Sequence, residues 1–203
     1  MPQPPAQEFS LDATEREVVV LSLQSSRLRL LEVVAPFTPE QRAFQPAEDR
    51  WSVAACIEHV TLVETLVLNS IEQQLAAPPT PDKAEPARGK EKLISRLVPE
   101  RGTRVKAPER AAPTGRWPDF DQLLGEFEKA RERSLRFAST TRADLRSHFF
   151  PHFAFGDLDC YQWLLFLGAH CERHVRQIEE LQADPGFPVA SKLHLIPQPF
   201  QHP

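Results

Sequence analysis

The feature that most limits the fold is a helix-forming run that begins after Asp159 and keeps its period to about Ala183. Trp163, Phe166, Leu167, His170, His174, Ile178 and Leu181 recur along one side of it. Three- and four-residue intervals are the spacing of a helix face, not of a strand. Asp184-Pro185-Gly186 stops the run with residues that cannot continue a helix. Within it His170 and His174 stand one turn apart, so both imidazoles can address one point. A facing helix that supplied His59 would complete a three-nitrogen site with an open position, the pattern of a catalytic rather than a structural zinc. A plainer reading is also open: two core-edge histidines hydrogen-bonded across a helix pair.

Three more runs share the helical period. The first extends from about Asp12 to Val34, with Val18, Val19, Leu21, Leu28, Leu31 and Val34 recurring. Ser10 or Asp12 caps it, and Pro36 with Thr38-Pro39-Glu40 ends it. The second opens at Trp51-Ser52 with Ser52 as N-cap and reaches about Leu75. His59 shares the stripe of Cys56, Val63 and Leu66 there, which points it at the core. The third runs from about Phe120 to Ser139, with Leu123, Leu124, Phe127, Leu135 and Phe137 inward and Glu126, Lys129, Arg131 and Glu132 on the solvated face. No alternating segment of convincing length is present, so no sheet is expected.

Residues 77–118 form a long, proline-punctuated connection with one short helix, Lys90 to about Leu97, and basic residues Arg101, Arg104, Lys106 and Arg110. The length suits a surface crossover between parallel neighbouring helices better than a substrate lid. The tail from Pro185 to Pro203 reads as an extended strap.

A chain of 203 residues suits one domain, and 41% hydrophobic with 26% charged residues is an ordinary globular balance. A net charge of −4 gives no basic face, which argues against nucleic acid as a partner. The first residues carry no basic and apolar leader pattern, and no run is read as a membrane span, so a cytoplasmic setting is expected. Cys56, Cys160 and Cys171 are odd in number and lack paired spacing, so reduced core thiols are expected. Cys56 lies one turn before His59, and Cys171 is rotated off the face of His170. His148 and His152 are expected to be solvated loop residues, Arg173 a salt-bridging surface residue, and Trp51 a helix-entry staple. His194 and His202 receive no role.

Trp51-Ser-Val-Ala-Ala-Cys-Ile-Glu-His59-Val, followed by Glu64, resembles the second-helix signature of the DinB/YfiT-like (DinB_2) superfamily. His152-Phe-Ala-Phe-Gly156, then Trp163 and Leu164 through Ala169-His170 to Arg173-His174 and Gln177-Ile178, is similar to its fourth-helix signature. The resemblance covers residues 12–183 and implies an all-α, four-helix bundle with long crossover connections. It makes residues 1–203 one DinB-like domain, with a core at about 12–183, the connection at 77–118 and a tail at 184–203. It also implies a divalent metal held by His59, His170 and His174, a homodimer, and in some branches thiol-dependent transferase or isomerase activity.

Neutral imidazoles bind zinc and also suit nickel, iron or manganese, so one divalent transition metal, zinc or nickel first, is the expected cofactor. All-nitrogen ligation leaves the ion's charge to act on a bound thiol or water. The leading expectation is a thiol S-transferase acting on a small molecule with a low-molecular-weight thiol as cosubstrate. The alternatives are a hydrolase using metal-activated water and a non-catalytic metal-binding or stress-response bundle. Glu64, Gln177 and Glu58 are the candidates for orienting the imidazoles. No side chain is assigned as a catalytic base. A vestigial site would be plugged, with Phe153, Phe155 or the tail as the plug.

Overall fold

Asp12 opens the first helix, α1 (Ala13–Val34), with a reciprocal cap in which its carboxylate accepts from the Glu15 amide and the Glu15 carboxylate accepts from its own. The computed structural model describes residues 11–102 and 106–189. Ser10, Arg104, His194, His202 and the tail from residue 190 lie outside the described residues. Thr38 caps a short helix, α2 (Pro39–Ala43), so the residues expected to stop α1 also start a new element. Ser52 caps α3 (Val53–Leu75) as expected. The connection holds α4 (Ala84–Ala87) and α5 (Lys90–Leu97) with single 3₁₀ turns at Pro81–Lys83 and Glu109–Ala111. Asp119 caps α6 (Phe120–Thr140), and Asp159 caps α7 (Cys160–Gln182) through a reciprocal cap with Gln162, as Asp12 does with Glu15 and Thr38 with Gln41.

The expectation of no sheet is corrected. Phe149–His152 (β1) and Gly156–Asp159 (β2) form an antiparallel hairpin that feeds α7. Gly156, in the left-handed region at φ 66°, makes its turn. Four-residue strands, one containing Pro151, are too short to show a two-residue period. Lys90 fastens the hairpin to α5 by donating to the carbonyls of Phe155 and Asp157, each at 2.8 Å.

The fold is mostly helical. α1 and α3 each pack against both α6 and α7. Paired residues give the directions. Arg16 meets the end of α6 at Ala138 and Thr141 while Arg27 meets Glu128, so α1 and α6 are antiparallel. Glu64 pairs with Arg131 and Glu72 with Arg133, so α3 and α6 are parallel neighbours, and such a pair requires a long crossover. Gly168 lets α1 approach α7, because a Cβ there would land on the Ser22 side chain.

Two apolar clusters fill the interior, one around Leu23, Leu68 and Leu164, the other around Leu30, Ile57 and Phe127. A polar layer separates them. Arg131, expected on the solvated face of α6, is fully buried there. Its guanidinium makes two 2.9 Å bonds to the Glu64 carboxylate and donates to the Leu23 carbonyl and the Ser26 hydroxyl, each at 2.7 Å. The complete pairing is what permits a charge at this depth. Cys171 Sγ bonds the Ser26 carbonyl from the same layer.

α3 is long and apolar enough to cross a membrane by length and composition, which the absence of an expected span overlooked. In the fold most of that segment is buried, and it carries the inward Glu58, His59 and Glu64. All three cysteines are buried free thiols, and burial pushes Cys56 and Cys160 up to about 12 and Cys171 to about 11. Phe187 closes the end near α2 by packing edge-on against Phe37 and Phe44, and Pro188 accepts from Gln41.

Candidate metal centre

His59 lies two turns into α3, and His170 and His174 lie on successive turns of α7, which packs against α3. The ligand atoms of the three residues lie within 4.8 Å of one another. His170 Nε2 stands 3.2 Å from His59 Nε2 and 3.2 Å from His174 Nε2. Nitrogens bound to one tetrahedral zinc at about 2.0–2.1 Å would stand about 3.3–3.4 Å apart. His59 and His174 are buried and His170 is partly exposed, so solvent meets the cluster at His170.

Hydrogen bonds at the far side of two rings decide what faces the centre. His59 Nδ1 donates to the Ala111 carbonyl at 2.7 Å, an acceptor without a proton to give. His174 Nδ1 donates to Gln177 Oε1 at 3.0 Å, and Arg101 donates to the same oxygen at 3.0 Å, which fixes that amide with its oxygen inward. Both neutral rings therefore turn a bare Nε2 lone pair to the middle. His170 Nε2 can carry one proton and satisfy one of them. Burial pushes all three imidazoles below the ordinary histidine range, well below it for His170 and His174, so further protons are a poor remedy. A cation with three nitrogen ligands satisfies every lone pair at once, and the donor set fits a divalent transition metal.

The expected orienting residues divide. Gln177 holds His174. Glu64 does not reach the histidines: five residues beyond His59 it is turned about 140° around the helix, onto Arg131. Glu58 also touches no imidazole. It accepts from the amides of Thr114 and Gly115 at 2.9 and 2.8 Å and from Arg116 Nε at 3.1 Å. Burial alone would raise this carboxyl, but those donors hold it below the usual carboxylate range. Gly115, at φ 74°, makes the turn that aims its amide inward. Glu58 thus clamps the loop whose Ala111 carbonyl orients His59. That backbone acceptor, 52 residues from its partner, carries no sequence signal.

Trp51 is a wall of the site as well as a helix-entry residue, with ring centres 4.7 Å from His59 and 6.0 Å from His174. Phe166 stacks on His170 at 5.2 Å. His148 and His152, expected in solvent, are both buried. His148 Nδ1 donates to the Gln74 carbonyl, and burial among aromatic rings pushes His152 down to about 4. Arg173 reaches the Val98 carbonyl. Phe153 is 77% exposed and Phe155 packs on His152, so neither ring lies against the triad. Two surface clefts, of about 800 Å³ beside Arg16 and Thr140 and about 360 Å³ beside Ser22 and Gly168, include none of the three histidines.

The chain is 20% identical over 157 residues to the uncharacterized protein YuaE of Bacillus subtilis (strain 168), covering 77% of this chain and 93% of that one. No solved structure matches it. The DinB superfamily matches residues 22–178, a span that holds all three histidines, Glu58 and Gln177. By that match over most of its length, the chain belongs to the DinB superfamily.

Proposed function

We propose that the chain is a metal-dependent thiol S-transferase on a four-helix-bundle scaffold, with His59, His170 and His174 as the ligands. The single observation that carries the metal is the convergence of their Nε2 atoms while Ala111 and Gln177 take the Nδ1 protons of two of the rings. A divalent ion held by these three residues would supply positive charge that favours the thiolate form of a thiol near neutral pH.

Thiol chemistry is favoured over attack by water because of what surrounds the triad. Among the described residues no carboxylate hydrogen-bonds to these imidazoles, and Glu58 and Glu64 are spent on the loop and on Arg131. Hydrolysis draws on a base to take the second proton of water, whereas an ionised thiol is already the nucleophile. Trp51 and Phe166 give the site apolar sides, and the exposure of Phe153 supports an open rather than a plugged centre. A cytoplasmic setting, where free thiols are plentiful, belongs to the same reading. So does a homodimer, supported by Val18, Leu21 and Leu28 standing exposed on α1.

The test is metal content by mass spectrometry on untagged protein, beside a His170→Ala, His174→Ala variant, followed by thiol consumption with an activated alkyl halide. About one equivalent of metal, absent from the variant, with metal-dependent thiol consumption is expected. Protein that takes up no metal on reconstitution overturns the metal site. Bound metal with ester hydrolysis and no thiol consumption moves the assignment to a hydrolase.

A further inference from the structure

His152 is buried, 6% exposed, and has no part in the proposed ligand set. It ends β1 and is boxed by rings, with centre-to-centre distances of 4.4 Å to Phe153, 4.9 Å to Phe155, 5.0 Å to Phe166 and 5.3 Å to Trp163. The Ala154 amide donates to its Nδ1 at 3.1 Å, so the neutral ring carries its proton on Nε2. Among the described residues nothing accepts that proton. Among the described residues the one fully enclosed side-chain nitrogen or oxygen without a partner is Arg42 Nε, so His152 Nε2 keeps some contact with the outside of the core. A donor at that depth is satisfied only by water or a ligand.

Phe166 links His152 to the triad. Phe166 is shared, with His152 edge-on to its ring at 5.0 Å and His170 stacked on it at 5.2 Å. The two imidazole centres therefore lie within about 10 Å of each other, the two distances laid end to end. A small molecule spans that gap.

We propose that His152 orients the cosubstrate, its Nε2–H donating to an acyl oxygen of a thiol whose sulfur sits at the triad and whose apolar stem lies along Phe166. The proposal rests on the thiol-transfer reading and narrows it to thiols that carry a carbonyl or carboxylate a few atoms from sulfur. A hydrocarbon thiol leaves the donor unpaired. His152 is a neutral donor, so its contribution is a directional hydrogen bond and not a charge.

The test uses the full chain loaded with cobalt(II), titrated through the sulfur-to-cobalt absorption band. The probes are 3-mercaptopropionamide, 3-mercaptopropionate and the isosteric 3-methylbutane-1-thiol, against wild type, His152→Phe and His152→Gln. One hydrogen bond predicts that the ratio of acyl-thiol to alkyl-thiol affinity falls about three- to ten-fold in His152→Phe. Cobalt content should stay the same in that variant. His152→Gln, which returns an N–H near the lost Nε2, should restore part of the ratio. The acyl probe with the larger fall identifies the acceptor as amide or carboxylate. A ratio unchanged between wild type and His152→Phe, with the band present, overturns the role of His152 alone. No band with any thiol in cobalt-loaded wild type overturns the thiol reading and this inference with it.

Discussion

His152 illustrates what burial does to a single titratable side chain. Removal from water disfavours its charged form and pushes it down to about 4, against 6.5 for an ordinary histidine. The folded chain therefore keeps the ring neutral where the unfolded chain takes up a proton. The associated stability is fully present above pH 6.5 and is lost as the pH falls toward 4. Full loss amounts to about 3 kcal/mol by linkage. Urea unfolding of chelator-treated protein at pH 7 and pH 4.5 should show wild type losing about 2–3 kcal/mol more than His152→Phe. The three triad histidines titrate in both proteins and cancel in that comparison. Equal losses would mean that the folded chain protonates His152 as readily as the unfolded one.

Among elements, the α1–α7 contact is the one most exposed to a single methyl group. Gly168 faces Ser22 so closely that a Cβ would meet its hydroxyl and stand 3.2 Å from its backbone carbonyl carbon. Gly168→Ala should destabilise by about 1–3 kcal/mol through overpacking. Ser22→Ala in that background should recover part of the loss by removing the hydroxyl, and urea unfolding of the two variants checks both. A neutral Gly168→Ala would mean that the helices are free to separate. The sequence shows this glycine but not its neighbour, and the same division runs through the molecule. α1, α3, α6 and α7 were legible because period and cap agree: Asp12, Ser52, Asp119 and Asp159 each accept a hydrogen bond from the third residue of their helix, whereas α5 has no side-chain cap. The hairpin was not, because Phe149–His152 is only four residues long and is interrupted by Pro151. The histidine positions could be read from one-turn spacing. The residues that orient them could be read only where the acceptor lies on the same helix, as Gln177 does for His174. Ala111 and the true partner of Glu64 depend on which helices become neighbours, and α6 brings Arg131 to Glu64 across 67 residues of chain.

For the whole molecule, the triad joins parts that are far apart in sequence. His59 belongs to α3, His170 and His174 to α7, and Ala111 to the crossover that Glu58 clamps. A ligand that binds only the folded chain adds stability in proportion to the logarithm of its concentration over its dissociation constant, about 4 kcal/mol at a thousand-fold excess. In a chain of this size that corresponds to a melting-temperature shift on the order of 10 °C. Without metal, the two apolar clusters and the Glu64–Arg131 layer still hold the four long helices together, so the metal-free protein should remain folded. What it loses is the tie between α3 and α7 and, through His59, the pull on the loop at Ala111. Chelation should therefore lower the melting temperature of wild type and speed amide exchange at residues 111–116, while leaving the His170→Ala, His174→Ala variant unchanged. A drop of equal size in that variant would place the stabilising ion somewhere other than between these helices. A drop in wild type without faster exchange at 111–116 would separate the metal from the crossover.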